Sequence, residues 1–207
     1  MSNDIKTIFE NIKNKYGKVA SWAVWKSPNK DNLASNMEVD GLFDIERNQK
    51  TLKQLQKNII MVGYNFSRTT DNLPKFHNFH SFKGDNVNKT TLRNASKIRY
   101  AFKETPYWGA YMTDIIKNYA EPKSENVELS DLDENFRIFR DEIETLQANR
   151  PLIIAFGGKV HSLLKKNLKP EEYSRLVGVT HYAYNYGDEC GTYEGYKRKI
   201  LDQLSVG

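Results

Sequence analysis

Short apolar runs of strand length alternate with segments of helical periodicity along most of this 207-residue chain. The clearest strand-like runs are residues 58–63, 109–116, 152–156 and 176–180, and the clearest helical patterns are 5–16, 130–148 and 192–204. A run that is apolar throughout predicts a strand covered on both faces, and the helices between the runs provide that cover. The pattern predicts an α/β fold, a three-layer α/β/α sandwich around a mostly parallel sheet of about four to five strands.

Weaker patterns fill the rest of the chain. Alternation over 19–25 predicts a half-buried strand, and 45–56, 89–103 and 159–167 have the periodicity of helices. No repeat, low-complexity tract or linker interrupts them. We therefore predict a single domain over residues 1–207.

Cysteine content and charge limit the kinds of protein this chain can be. Its one cysteine, Cys190, excludes an internal disulfide, a four-cysteine zinc site and a cysteine-held iron–sulfur cluster. The formal net charge is +5 at pH 7, which suits a polyanionic partner and suits solubility equally well. Because neither a membrane-spanning stretch nor a secretion signal is recognisable, we expect a cytoplasmic protein. We also expect a monomer.

Polar and glycine residues stand at the ends of four of the apolar runs. Ligands of open α/β sheets bind beyond the carboxyl ends of the strands, so these residues are the first candidates for a site. They are Asn65 after the first run, Asp114 near the end of the second, Gly157-Gly158-Lys159 after the third and His181 after the fourth. The sequence therefore predicts an amide, a carboxylate, a helix start and an imidazole at one edge.

Over about residues 58–187, the order and spacing of these pieces resemble the uracil-DNA glycosylase-like superfamily. Gly63-Tyr64-Asn65 resembles its first motif, a strand ending in Gly-x-Asn-Pro or Gly-x-Asp-Pro, with Phe66 in place of the proline. His181 falls at the position of the histidine in its last motif, His-Pro-Ser, and is followed here by Tyr182-Ala183. Residues 110–117 and 153–163 look like the strand and the strand–Gly–helix step between those motifs.

The resemblance implies a DNA base-excision glycosylase that hydrolyses the N-glycosidic bond of a flipped base, such as uracil or another deaminated base. It implies that Asn65 orients the attacking water and that His181 stabilises charge on the departing base. It places Tyr64 and Asp114 in the base pocket. It also implies that an aromatic residue in the loop after the first motif stacks on the base, and the candidates are Phe76, Phe79 and Phe82.

Asp114 bears on which base such a site would accept. An asparagine offers a donor and an acceptor to a uracil edge, whereas an ionised aspartate only accepts. Asp114 at the base edge would repel a carbonyl and favour an exocyclic amine, or it could instead cap the segment that follows. The DNA backbone would meet Gly157, Gly158 and Lys159 at a helix start, together with Tyr182 and Tyr184.

The same residues also have purely structural interpretations. Asn65 and Gly157-Gly158 are also ordinary turn residues, and the tyrosines after His181 could simply pack a loop. His77 and His80 could bind a metal with Asp71 or Asp85, but no further ligand is placed by spacing, so we predict no metal and no cofactor. The alternative functions are a catalytically inactive nucleic-acid-binding protein of the same fold and an α/β domain that binds a small ligand.

Overall fold

A central β-sheet organises the computed structural model of the protein, which describes residues 2–66, 75–80, 89–117, 131–184 and 190–206. Within those residues the sheet has five strands in the order β1-β3-β2-β4-β5. They are β1 (Ser21–Trp22), β2 (Gln56–Asn65), β3 (Ala110–Ile116), β4 (Leu152–Phe156) and β5 (Arg175–Val179). The four longer strands are parallel, and the short β1 joins β3 antiparallel at one edge.

The described helices lie on both faces of the sheet. They are α1 (Ser2–Lys15), α2 (Gln49–Leu52), α3 (Lys89–Phe102), α4 (Leu132–Thr145), α5 (Gly158–Asn167) and α6 (Tyr193–Ser205). Apolar residues of α1, α4 and α5 share one core with alternate residues of the strands, and those of α3 and α6 share the core on the opposite face. The α/β/α sandwich predicted from the alternating pattern is therefore confirmed.

The two faces of β2 show how the sequence pattern becomes a layered core. Ile60 and Val62 belong to the core under α1, α4 and α5, while Met61 belongs to the core under α3 and α6. Consecutive residues of a strand point to opposite faces, so a run that is apolar at every position covers both. Residues of this central strand are accordingly buried from Ile60 to Tyr64.

Two elements are shorter than the sequence pattern predicts. Only Ser21 and Trp22 of the predicted strand 19–25 pair with β3, and only Gln49–Leu52 of the predicted helix 45–56 is helical. Burial still explains both patterns, because Ala20 and Val24 lie in the core outside the ladder, and Ile45 and Leu55 lie there outside α2. Apolar spacing reports burial, and it predicts regular structure only where the backbone finds partners.

The connections of the central strands create a crevice at one edge of the sheet. The chain passes from β2 to β3 on one side of β2, and from β4 to β5 on the other side. The segments that follow β2 and β4 therefore diverge, which is the arrangement that opens a binding crevice in doubly wound sheets. Among the described residues, no helix is long and apolar enough to cross a membrane.

Candidate functional site

The carboxyl ends of β3, β2, β4 and β5 lie side by side because these strands are parallel neighbours. The polar residues singled out in the sequence therefore come to one edge of the sheet. In the register of β2 and β3, Gly63 is opposite Asp114 and Asn65 is opposite Ile116. Gly157 follows β4, and its amide donates to the carbonyl of Val179 at the end of β5 at 2.8 Å.

Asp114 and Gly63 are in direct contact across the β2–β3 ladder. A Cβ atom at Gly63 would lie 2.1 Å from Asp114 Oδ1, so no other residue leaves room for the carboxyl group as it stands. The same Cβ would lie 3.4 Å from the ring of Phe79. A glycine inside an otherwise apolar strand is typical of such a close approach.

Asn78 fixes the position of the Asp114 carboxyl group. Its Nδ2 donates to Asp114 Oδ2 at 2.8 Å and to the backbone carbonyl of Val19 at 2.8 Å. Both amide protons are thereby used, and the Val19 carbonyl, which only accepts, determines which end of the Asn78 amide faces the carboxylate. The sequence gives no sign of this role of Asn78, since the residue lies in an irregular segment with no motif around it.

Burial governs the protonation of Asp114. The residue is 3% exposed, and loss of hydration raises the pKa of its carboxyl group to about 6. The hydrogen bond from Asn78 and the charge of Lys117 lower this pKa, and the charge of Glu142 raises it. At neutral pH the group is therefore mostly a buried carboxylate, one that protonates upon mild acidification.

Asn65 is the last residue of β2 and is half-buried. Its Nδ2 donates to the backbone carbonyl of Phe66 at 3.2 Å. The amide oxygen Oδ1 is the hydrogen-bond acceptor of this side chain and could orient a water molecule. An amide does not ionise, so Asn65 can orient a water molecule and cannot deprotonate it.

His181 follows β5, and its Cβ lies 3.6 Å from the position of a Cβ on Gly157. Burial, with a smaller contribution from the charge of Lys97, lowers the pKa of the imidazole to about 4, so the ring is neutral at pH 7. The backbone N–H of Ala183 donates to His181 Nδ1 at 3.1 Å, which places the single ring proton on Nε2. His181 is therefore a neutral hydrogen-bond donor.

Lys97 of α3 holds the segment that carries His181. The sequence gives no sign of this role of Lys97. Its buried ammonium group donates to the carbonyls of Tyr184 at 3.2 Å and Cys190 at 2.8 Å. It also lies 4.8 Å from the centre of the Tyr196 ring. A lysine inside a helical pattern gives no warning of such a role, since most lysines there are solvated.

The two aromatic candidates after β2 are placed differently. Phe76 is fully buried, with its ring 5.1 Å from both Phe9 and Phe43, in the core beneath α1. Phe79 is half-buried and belongs to the other face, next to Gly63. Both have positive φ angles, which only a firmly held loop maintains in phenylalanine. Of the two, Phe79 is the one that lies beside Asp114, and Phe82 lies outside the described residues.

Tyr64 and Lys159 pair on the face of the sheet away from Asp114. Tyr64 belongs to the core beneath α4 and α5, and Lys159 Nζ lies 3.8 Å from the centre of its ring. The alternation of β2 thus separates Tyr64 from the pocket that Gly63 and Asp114 form. Gly157 begins α5 with φ of +92°, a conformation that favours glycine, while Gly158 faces open space.

The tyrosines after His181 differ in exposure. Tyr182 packs its ring 4.1 Å from that of His181 and 5.4 Å from that of Phe156. Burial and the charge of Asp114 raise the pKa of Tyr182, so its hydroxyl group stays protonated. Tyr184 is 47% exposed, and Tyr186 lies outside the described residues.

The two loop histidines are core residues. His77 and His80 are both buried, and burial lowers the pKa of His80 to about 3. His80 Nε2 lies 3.2 Å from the Trp22 carbonyl, and its ring packs 5.2 Å from that of Trp25. Asp71 and Asp85 lie outside the described residues, among which no three His, Cys, Asp or Glu side chains are grouped as a metal site.

No protein-family model, curated protein or solved structure matches the chain. The chemistry of the site itself is therefore what bears on the function. At the carboxyl edge of the sheet that chemistry is a neutral imidazole donor, an amide acceptor, a buried carboxylate and an aromatic ring beside it.

Proposed function

We propose that the protein binds a base flipped out of DNA at this edge and hydrolyses its N-glycosidic bond. The observation that carries the proposal is the state of His181, a neutral ring whose proton is on Nε2, at the same edge as Asn65. Such a group can donate a hydrogen bond to negative charge on a leaving base without first losing a proton of its own. The resemblance to the uracil-DNA glycosylase-like superfamily supports the same assignment.

In the proposed reaction the bond between the sugar C1′ and the base nitrogen breaks, and its electron pair leaves with the base. A water molecule held by Asn65 Oδ1 forms the new bond to C1′ and releases its proton to solvent. His181 Nε2–H stabilises the departing base, and Phe79 stacks on it. Since Asn65 cannot take a proton, we expect slow turnover.

The DNA strand would pass the start of α5 and the exposed ring of Tyr184. Backbone N–H groups at a helix start and the ammonium of Lys159 suit phosphate, and exposed tyrosines suit unstacked bases. The net charge of +5 is in keeping with a polyanionic partner.

The proposal is tested with labelled oligonucleotides that carry a single uracil opposite guanine, opposite adenine or in a single strand, and with a panel of other bases. Alkali cleaves the abasic sites that base release creates. We expect release by the wild type and its loss in Asn65→Ala and His181→Ala. His161→Ala, on α5, and Asn11→Ala, exposed on α1, are the matched controls that should retain it. Release that persists in both site variants would contradict the proposal.

A second candidate is a nucleic-acid-binding protein of this fold without turnover. The amide of Asn65, which is held by the Phe66 carbonyl and does not ionise, favours it. Binding to DNA that weakens steeply with salt, with no base released from any substrate, would support this candidate against the first.

A further inference from the structure

Asp114 is the group in this site whose chemistry discriminates most sharply between bases. It lies on β3, on the face of the sheet that carries Gly63 and Phe79, and its side chain is nearly fully buried. We propose that the site takes a base with an exocyclic amine on its pairing edge, and that Asp114 accepts the hydrogen bond from that amine. This inference rests on the proposed function and names its substrate class.

The structure holds the carboxyl group as an acceptor. Asn78 presents an N–H to Asp114 Oδ2, and it cannot turn its oxygen there without losing its second hydrogen bond, to the Val19 carbonyl. Oδ1 is turned over Gly63, in the space that a side chain at that position would fill. One oxygen is thus fixed by the protein, and the other faces the glycine and the ring beside it.

Lys117, which directly follows β3, is committed to other partners. Lys117 Nζ is 2.7 Å from Glu142 Oε2, and it bonds Thr113 Oγ1 and the backbone carbonyl of Asp114, not the carboxyl group. Among the described residues, Asn78 is the one that donates a hydrogen bond to the Asp114 side chain. The Asp114 carboxyl group therefore forms no ion pair with Lys117, and its Oδ1 keeps its capacity to accept a hydrogen bond.

A buried acceptor of this kind distinguishes an amine from a carbonyl. An amine donates a hydrogen bond to the carboxylate. A carbonyl oxygen at the same place is repelled by the carboxylate, and it leaves that buried carboxylate without a hydrogen bond from the ligand. Sites built around such a hydrogen bond reject an analogue that lacks the donor more strongly than apolar pockets reject a change of size. Cytosine should therefore bind better than uracil, and adenine better than hypoxanthine, since each pair differs mainly at this edge.

The test measures binding of these four free bases to the full-length protein by calorimetry, beside base release from oligonucleotides that carry each of them. We expect the amino member of at least one pair to bind about tenfold or more tightly than its oxo partner. In Asp114→Asn, the side-chain amide can donate an N–H of its own, so the preference within that pair should vanish or reverse. Asp133→Asn, an exposed charge change on α4, is the control that should keep it.

The outcomes separate this inference from the proposed function. Equal binding of both members, tighter binding of the oxo members, or no binding of either amino base would overturn the inference, even if uracil is released from DNA. Binding of an amino base with no release from any oligonucleotide would support the inference and contradict the glycosylase. The comparison within the wild type decides the matter even if Asp114→Asn does not fold.

Discussion

Two buried carboxylates lie on opposite faces of β3, and their surroundings differ in kind. Glu142 of α4 is fully buried, and it receives Lys117 at 2.7 Å and the hydroxyl groups of Tyr111 and Thr113 at 2.8 Å each. Asp114 is buried almost as deeply, and Asn78 is its donor. The first carboxylate is paired with a cation and two hydroxyl groups, while the second has one amide donor, and the proposed binding of a ligand by Asp114 depends on this difference.

The largest effect is expected from removing the cation of the satisfied pair. Lys117→Met leaves Glu142 as an unpaired charge in the core, and we expect the free energy of unfolding to fall by about 3–5 kcal/mol. Urea denaturation at pH 7 measures it. The double variant Lys117→Met/Glu142→Leu removes both charges and should recover part of the loss, although it leaves the Tyr111 and Thr113 hydroxyl groups without their acceptor. A double variant as unstable as the single one would show that the unpaired charge is not the main cause of the loss.

At Asp114 we expect a smaller effect on stability, in which the substitution becomes more favourable as pH rises. Its pKa rises from the ordinary 3.8 to about 6 on folding, so the folded protein holds the proton more tightly, and the stability that Asp114 contributes at low pH is lost as pH rises through 6. Asp114→Asn does not titrate. Its stability relative to the wild type should therefore increase by about 2 kcal/mol between about pH 4.5 and pH 7.

Thermal or urea unfolding of both proteins across this pH range tests the prediction. His80 and His181, whose pKa values are lowered in the folded state, titrate in both proteins, so their contributions cancel in the difference. A difference that does not change with pH would mean that the Asp114 carboxyl group is hydrated like an exposed one.

The smallest effects are expected from removing single hydrogen-bond donors to the two carboxylates. Tyr111→Phe removes one of several donors to Glu142, and we expect a loss of about 1 kcal/mol. Asn78→Ala removes the donor of Asp114 and the bond to Val19, and we expect a loss of about 1–3 kcal/mol at pH 7. The Asn78→Ala loss should shrink towards pH 5, where Asp114 is protonated, while that of Tyr111→Phe should persist. Equal pH dependence in the two variants would contradict the distinction between the carboxylates.

The sequence predicts the frame of the fold well and its buried polar contacts poorly. The run 152–156 corresponds to β4 residue for residue, because a fully buried strand is apolar at every position. The predicted helix 130–148 is observed as Leu132–Thr145, where Asp131 makes no side-chain cap bond and Ser130 lies outside the described residues. Periodicity locates an element, and its ends depend on local hydrogen bonds that periodicity does not encode.

For the site, the sequence places Asn65, Asp114 and His181 at one edge because parallel strands bring their carboxyl ends together. It does not reveal Asn78, which meets Asp114 from a loop, or Lys97, which meets the His181 segment from a helix. These contacts depend on how separate segments pack, and no short-range pattern records them. Gly63 inside an apolar run was the one local signal of the close contact with Asp114.

The strand order has a consequence for how the molecule assembles. β1 is synthesised before its partner β3, which lies about ninety residues later in the chain. The loop between them must close before the pair forms, whereas β4 and β5 pair across about twenty residues, so we expect this edge of the sheet to gain its order after the β4–β5 pair. Pulse-labelled hydrogen exchange during refolding should show the amide of Ala23, which donates to the Ala110 carbonyl, protected after those of β4. The edge strand β1 is, in this sense, added to a sheet whose β4–β5 pair already exists.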